Sequence, residues 1–315
     1  MLRYLVGRLP SLVMVLVASS VVAFALPRLA PGDVAVSLAG TDPTQAQIDA
    51  IREQLGLNQP LPSQYWDWIS GLFHGDLGES YLWHRSVASM IGDRLESTVE
   101  LAVVALVLVI VIGLVLGIVG GSRRGRWARA VLDMFSSLLI AIPSFLFALG
   151  LILLFGIFQR WLPVSGEVSL FDDPWIGIQY LLLPALALAL APGAVVGRML
   201  QTEMLKMRNE DFVDLALSKG VTPGKITRRH VLRNSLGSAV VGVGLQAGNL
   251  LAGAVVIEAV FSRNGLGQLA VSSVESRDFT VLQVIILGVV LVAALCQILT
   301  EIILAAIDPR VRLGE

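Results

Sequence analysis

Residues 209–234 read NEDFVDLALSKGVTPGKITRRHVLRN, a charged, amphipathic stretch set between two long apolar runs. Its spacing predicts two short helices. Asn209 caps the first, which opens with Glu210 and Asp211, two carboxylates at the positive end of a helix dipole. Phe212, Leu215 and Ala216 share one face, while Asp211, Asp214 and Ser218 point elsewhere. Gly220 stops this helix. Thr222 and Pro223 supply the cap and the first position of the second, which carries Ile226 and Val231 beside Lys225, Arg228, Arg229, His230 and Arg233. The expected unit is helix, glycine turn, helix, held at both ends by apolar segments. Helices anchored in this way can pass force from a docked protein into the segments that hold them.

The flanking runs decide the fold class. The 315 residues are 55% apolar and 15% charged, against about 25% charged in a soluble domain, and the mean hydropathy is +0.77. About 20 mostly apolar residues cross a hydrocarbon core. Six segments qualify: residues 9–26, 99–121, 131–158, 178–200, 236–260 and 281–307. The expected fold is therefore an all-α membrane protein with six transmembrane helices. It has an insert after the first span (residues 29–98) and a charged loop between the fourth and fifth (residues 203–235). Residues 1–315 read as a single transmembrane domain. The third and sixth spans are long enough to tilt. The second opens on Ser97-Thr98-Val99-Glu100, the spacing of a capping box. Pro143, Pro184 and Pro192 fall inside spans, where they mark kinks or are ordinary membrane-helix prolines.

Within the insert, residues 44–55 place Ile48, Ile51 and Leu55 at helical spacing, closed by Gly56. Tyr65, Trp66, Trp68 and Phe73 either sit at the membrane interface or pack a small cap. Residues 75–78 read as a turn.

Basic residues set the orientation. With the N-terminus in the cytoplasm, Arg3, Arg8, Arg123, Arg124, Arg126, Arg129, Arg198, Arg310 and Arg312 fall on the inner side. All the basic residues of the charged loop join them, including every lysine (Lys206, Lys219 and Lys225). Arg28, Arg52, Arg85, Arg94, Arg160, Arg263 and Arg277 are spread thinly over the longer outer segments. The insert is then extracytoplasmic, the charged loop cytoplasmic, and both termini cytoplasmic. Arg198 is expected to snorkel toward the inner face. The first span resembles a signal peptide in its leading arginines and in Ala23-Phe24-Ala25. Its apolar run is longer than the about 7–15 residues of a signal core, so a retained helix is expected.

Other chemistries find little support. Cys296 is the lone cysteine, His74, His84 and His230 are scattered, and no metal-ligand spacing occurs. Net charge is −1 and gives no reason for a nucleic-acid partner. Helix–glycine–helix also describes DNA-binding modules, but both ends of this one are tied to a bilayer. Residues 220–227 look like a phosphate loop, yet the glycine spacing is one residue short, Ile226 stands at the hydroxyl position, and no strand precedes it. A plain basic loop that touches anionic lipid is the remaining reading. The helix caps and Glu210, Asp211 and Asp214 argue against it.

Asp214-Leu215-Ala216, followed by Gly220, resembles the "EAA…G" loop of binding-protein-dependent ABC importer permeases, with Asp in place of the first Glu and Leu in place of the first Ala. Of the loop's usual Ile-x-Leu-Pro ending, only Leu232 is present. Lys219-Gly220 and Arg229-His230-Val231-Leu232-Arg233-Asn234 are similar to the dipeptide/oligopeptide (and nickel) branch. So are Met1-Leu-Arg-Tyr4, Pro31-Gly32-Asp33, Leu55-Gly56-Leu57 with Pro60, Gln64-Tyr65, residues 75–80, Glu258 with Val260-Phe261-Ser262 and Gly265-Leu266-Gly267, and Asp308-Pro309-Arg310. The long insert is similar to that of the B-type permease subunit.

The resemblance implies a permease subunit of an ATP-driven peptide importer, working by alternating access in the cytoplasmic membrane of a bacterium or archaeon. Its partners would be a second permease, two cytoplasmic ATPase subunits, an extracytoplasmic substrate-binding protein and membrane lipid. ATP and Mg would bind the ATPases, with no cofactor, metal or catalytic residue on this chain. Phe212, Asp214, Ala216, Lys219, Gly220, Arg229 and His230 are the implied ATPase contacts. Gly75, Asp76, Leu77, Gly78, Gly265 and Gly267 are candidates for docking the binding protein, or for turns that hold the cap. Glu258 is a candidate gate residue, or else a structural partner of Arg263 or Arg277. Glu301 and Asp133 are expected to pair with basic groups on the inner face.

Two other classes remain for comparison. A stand-alone secondary transporter or channel would need ionisable groups deep in its spans or inverted repeats with broken helices. An intramembrane enzyme would need a nucleophile–base or metal constellation. The span centres are nearly free of charge.

Overall fold

Apolar segments can cross a bilayer only as helices or closed barrels, because hydrocarbon offers no partner to backbone N–H and C=O groups. The computed structural model of the chain describes residues 2–29, 35–36, 43–54, 56–122 and 126–307. Among these the regular structure is helical, apart from an isolated bridge between Glu79 and Ser86. The helices are α1 (Leu2–Leu29), α2 (Gln45–Gln54), α3 (Leu61–Phe73), α4 (Val87–Gly121), α5 (Arg126–Ala141) and α6 (Ser144–Leu151), the last prolonged by a π-helical stretch, Ile152–Phe158. They continue with α7 (Pro174–Met207), α8 (Asp211–Ser218), α9 (Pro223–Ile226), a π-helical turn at Thr227–Val231, α10 (Leu232–Phe261), α11 (Leu266–Glu275) and α12 (Phe279–Ile307). Met1, Pro31-Gly32-Asp33, Leu55, Arg123, Arg124, Asp308-Pro309-Arg310 and Arg312 lie outside the described residues.

Among the described residues, four helical runs are long and apolar enough to cross a membrane: α4, α7, Pro223–Phe261, and α12 over Phe279–Leu304. Helix α1 carries a shorter apolar stretch, Pro10–Leu26. The expected third span is not one helix. Trp127–Ala141 and Ser144–Phe158 meet at 99°. Pro143 takes φ −59° and ψ 145° and caps α6, and its ring disfavours the helical region for the residue before it. Pro184 and Pro192 lie inside α7, which continues through both. The expected capping box is also overturned. Helix α4 already starts at Val87, so Ser97 and Glu100 stand within it and their side chains are free for tertiary contacts.

The chain divides into two compact units. One comprises residues 97–264 and the chain from 293 onward. Its core is built on α7, where Leu181, Leu188 and Leu200 meet Leu101 and Val109 of α4 and Leu250 and Ile257 of α10. Helices α4 and α7 approach through small residues. A Cβ on Gly117 would lie 2.7 Å from the Leu200 Cβ, and one on Gly197 would lie 2.8 Å from the Leu116 Cβ. Small residues of this kind allow close van der Waals packing where no hydrophobic force separates helix from lipid.

The other unit comprises residues 2–96 and 265–292, around Val87, Met90, Leu269, Val281 and Ile285. Thr44 and Gln47 form a capping box at α2: the Gln47 N–H donates to Thr44 Oγ1 at 3.4 Å, and the Thr44 N–H donates to Gln47 Oε1 at 2.9 Å. Gly56 follows α2 with φ +66°. Helix α3 docks on α1 through aromatics. Tyr65 meets Phe24 edge-on at 5.3 Å between ring centroids, Trp68 lies 5.9 Å from Phe24, and the Tyr65 and Ser20 hydroxyls are 2.7 Å apart. Tyr65 and Trp68 thus pack as a small cap, while Trp66 and Phe73 are exposed.

Candidate functional site: an exposed elbow and a buried charge cluster

The charged loop folds as an elbow, with three changes from its sequence reading. Helix α8 begins at Asp211 with Glu210 at the cap position and no side-chain cap bond. Asn209 does not cap it, because it stands one residue before the cap position, where its N–H donates to Lys206 O at the end of α7, at 3.0 Å. The second helix is not separate either. From Pro223 the chain runs through α9 and the π-helical turn into α10, a continuous run of 39 residues to Phe261. The third change is the exposure of Leu215.

The turn itself is as expected. Gly220 has φ +76°; its N–H reaches Leu217 O at 2.9 Å, and the Val221 N–H reaches Ala216 O at 3.1 Å. That is a Schellman closure, which favours glycine at this position. Thr222 and Pro223 open the next helix in the predicted order.

Burial divides the elbow cleanly. Val213, Ile226 and Val231 belong to the core that also holds Leu200 and Met204 of α7, and Phe212, Ala216 and Leu217 pack partly against it. Leu215 does not join them and is 57% exposed. It stands two residues from Val213, about 200° round the helix, so a buried Val213 turns it outward. Asp211, Asp214, Leu215 and Ser218 form one exposed face, continued by Lys219 and Gly220, and Arg228 and Arg229 are exposed on the next arm. His230 is half-buried. Sequence patterning places Leu215 inside because an apolar residue at helical spacing normally marks the core side.

Arg208, which in the sequence is one more basic residue, ties the elbow to its neighbours. Its Nε donates to Gly121 O at the end of α4, and its Nη2 donates to Thr227 Oγ1, both at 2.8 Å. The Thr227 hydroxyl in turn donates to Pro223 O at 2.9 Å. One guanidinium thus joins the ends of α4 and α7 to the second arm of the elbow.

The far end of α10 carries the opposite arrangement. Ser262 adopts the left-handed conformation (φ +53°), and the chain turns back so that Arg263 is buried to 1% exposure. Arg263 Nη2 lies 3.1 Å from Ser97 Oγ, 3.5 Å from Glu167 Oε2 and 3.8 Å from Glu100 Oε2. Ser97 also donates to Glu167. Glu100 accepts from the Leu170 N–H at 2.7 Å and from Ser169 Oγ at 3.0 Å. Glu258, wholly buried, accepts from Thr98 Oγ1 at 2.7 Å and acts electrostatically on Arg263. Burial pulls the Arg263 guanidinium down from its usual value, and Glu167, Glu100 and Glu258 push it back. The cluster binds α4, residues 167–170 and the end of α10. Glu258 thus acts on Arg263, one of the two arginines considered as its partner. Among the described residues Asp133 pairs with Gln201 Nε2 at 2.7 Å in place of the expected basic side chain; the Glu301 carboxylate accepts from Gln297 Nε2 at 3.3 Å, besides its other contacts.

Residues 75–80 form a clasp in the other unit. Gly75 and Gly78 have φ +80° and +82°, and the Gly78 N–H donates to Asp76 Oδ1 at 2.8 Å. Ser80 donates to the buried Asp278, whose carboxyl burial pushes above the usual value while the Ser80 and Val281 bonds pull it back. Leu77 packs against the core of this unit. Gly75 and Asp76 are exposed, whereas Gly265 and Gly267 are buried at the start of α11.

Long apolar helices and an exposed charged elbow mark a helical membrane protein. Comparison with known proteins agrees. Residues 109–313 match the family of binding-protein-dependent transport system inner membrane components, and residues 1–102 match its N-terminal membrane component. The glutathione transport system permease protein GsiC of Escherichia coli strain K12 is 36% identical over 312 residues, 99% of each chain. A Brucella abortus chain provisionally named a peptide transport system permease protein is 34% identical over 314 residues, also 99% of each. A chain of the inward-facing MetNI methionine ABC transporter shares the fold, with TM-score 0.59 and 17% identity over 70% of this chain and 96% of that one. The chain belongs to the family of binding-protein-dependent transport system inner membrane components. It is a permease subunit of an ABC importer, a transport component whose ATPase resides on separate chains.

Proposed function

We propose that this chain forms half of the translocation path of a peptide importer and receives mechanical work from an ATPase seated on the α8 elbow. The exposed face of Asp211, Asp214, Leu215 and Ser218 carries the reading, because the opposite face of the same short helix is fixed into the core of α7 and α10. Phe212 and Ala216 hold α8 on that core, Gly220 sets the bend, and Lys219, Arg229 and His230 flank the contact. A force on α8 crosses the Gly220 turn into the continuous helical run of α9 and α10, which Arg208 ties to α4.

The partners in this reading are a second permease, two ATPases that bind ATP and Mg, and an extracytoplasmic binding protein. The chain crosses the bilayer six times as one transmembrane domain, with both termini and the elbow in the cytoplasm, as the basic residues favour. The insert then faces outward. Gly75 and Asp76 offer its exposed surface to the binding protein, and Leu77, Gly78, Gly265 and Gly267 shape that surface from within. Glu258 and Arg263 close the outer end of α10 and must part when the path opens outward. Peptide as cargo is supported by the names of the two full-length relatives.

Co-purification tests the central point. The unsubstituted chain is expected to retain its ATPase, and Asp214→Lys and Gly220→Trp to lose it while the chain stays folded. Robust transport by this chain alone in liposomes would instead favour a stand-alone transporter.

A further inference from the structure

Helix α7 is buried along most of its length. Beyond Gly197 its uncovered stripe is polar: Arg198 and Thr202 are exposed, and Glu203 is half-buried beside them. These side chains, with Met199, Ile140 of α5 and Ser238 of α10, line an open surface cleft of about 560 Å³. Ionisable groups on a membrane-spanning helix are expensive, and they face a water-filled cavity or one another rather than lipid.

Arg198 is held by neutral acceptors only. Its Nη2 donates to Ser137 Oγ at 2.7 Å and toward Asp133 O at 3.5 Å, while the Asp133 carboxylate is taken by Gln201. Among the described residues no carboxylate lies within ion-pair distance of Arg198. Among the described residues Glu203 has one ion pair, to Lys206 at 3.9 Å. The cleft therefore offers one oriented guanidinium, one carboxylate and two hydroxyls, against apolar walls from Met199 and Ile140. A guanidinium fork matches a carboxylate in two parallel hydrogen bonds. Arg198 and Glu203 are separated by about 7.5 Å along the helix and about 140° around it, and both side chains line the same cleft. An extended peptide spans about 3.3–3.6 Å per residue, so a chain of two or three residues reaches both.

We propose that this cleft binds the two ends of a small zwitterionic peptide, with Arg198 on its terminal carboxylate and Glu203 on its ammonium group. Thr202 and Ser238 supply hydrogen bonds to the peptide backbone. The site deepens, and rests on, the reading of this chain as a peptide permease. By the orientation above it lies toward the inner end of α7, where cargo leaves.

The test uses the complete importer, reconstituted in zwitterionic lipid, with Cys296→Ala and one new thiol, Thr202→Cys. Alkylation of that thiol by a soluble maleimide is timed with and without a free tripeptide. The tripeptide is expected to slow alkylation about fivefold at some four times its Kd. Its C-terminal amide slows it far less, and adding Arg198→Gln abolishes the protection. Equal protection by the amide, no protection by the free peptide, or a thiol that never reacts because the second permease covers it would each overturn the site. Protection that follows anionic lipid instead of peptide would overturn it too. ATP-driven uptake of the same tripeptide by the unsubstituted importer separates the two claims. Uptake without protection removes this site alone, whereas no uptake removes the peptide reading beneath it.

Discussion

The two ends of the Pro223–Phe261 run use the same residue types in opposite ways. At the Pro223 end, Asp211, Asp214, Lys219, Arg228 and Arg229 face out around an exposed leucine. At the Phe261 end, Arg263, Glu258 and Glu100 are turned inward and buried. Exposed charges are screened by salt and contribute little to folding, so they are available to a partner. Buried charges hold their neighbours in place, because removing one leaves the others uncompensated. A single helical run therefore joins a surface suited to docking to a cluster suited to closure.

Breaking the buried end should have the largest effect. Arg263→Met leaves Glu100 and Glu258 without their guanidinium and is expected to cost about 3–5 kcal/mol, read as a lowered Tm of the detergent-purified chain. An unchanged Tm would erase the contrast between the two ends. Gly117→Leu comes next, since its side chain would collide with Leu200; overpacking of this kind costs about 1–3 kcal/mol, measured in the same way. Gly220→Ala meets no neighbour within 4 Å and is strained only by its positive φ, about 1–2 kcal/mol. It should weaken ATPase retention more than it lowers Tm. Leu215→Ala sharpens the comparison from the other side. Stability should stay within about 0.5 kcal/mol, while ATPase recovery on purification falls.

The smallest effect concerns the clasp. Burial raises the Asp278 carboxyl above its unfolded value. Its stabilising contribution is thus complete below the unfolded pKa and is lost as pH rises through the folded one. Asp278→Asn should therefore raise Tm at pH 7, with the gain shrinking as pH falls toward about 4. A gain that is independent of pH would mean that the carboxylate charge is not what strains the clasp.

The elbow was legible because its punctuation is local. A glycine needed for positive φ and a proline at a helix start act through their own backbones, so Gly220 and Pro223 could be placed from sequence. The fate of Leu215 was not legible. Helical spacing marks apolar residues as core, and a docking face breaks that rule with a residue of the same type. Ser97 and Glu100 matched a capping box, yet the helix begins upstream and both residues serve the Arg263 cluster. That cluster draws on residues far apart in sequence, which no spacing rule connects. Pro143 signalled a disturbance of the third apolar segment, but a proline in a sequence carries no angle, and the bend is 99°. The family resemblance supplied the partners, which hydropathy alone does not.

The most direct measurement is a photocrosslinker at position 215 in the assembled importer, compared with the same probe at the buried position 213. Docking on the exposed face of α8 predicts an adduct with the ATPase from 215 and none from 213. An ATPase that stays bound while 215 gives no adduct would contradict the elbow as the point where work enters this chain.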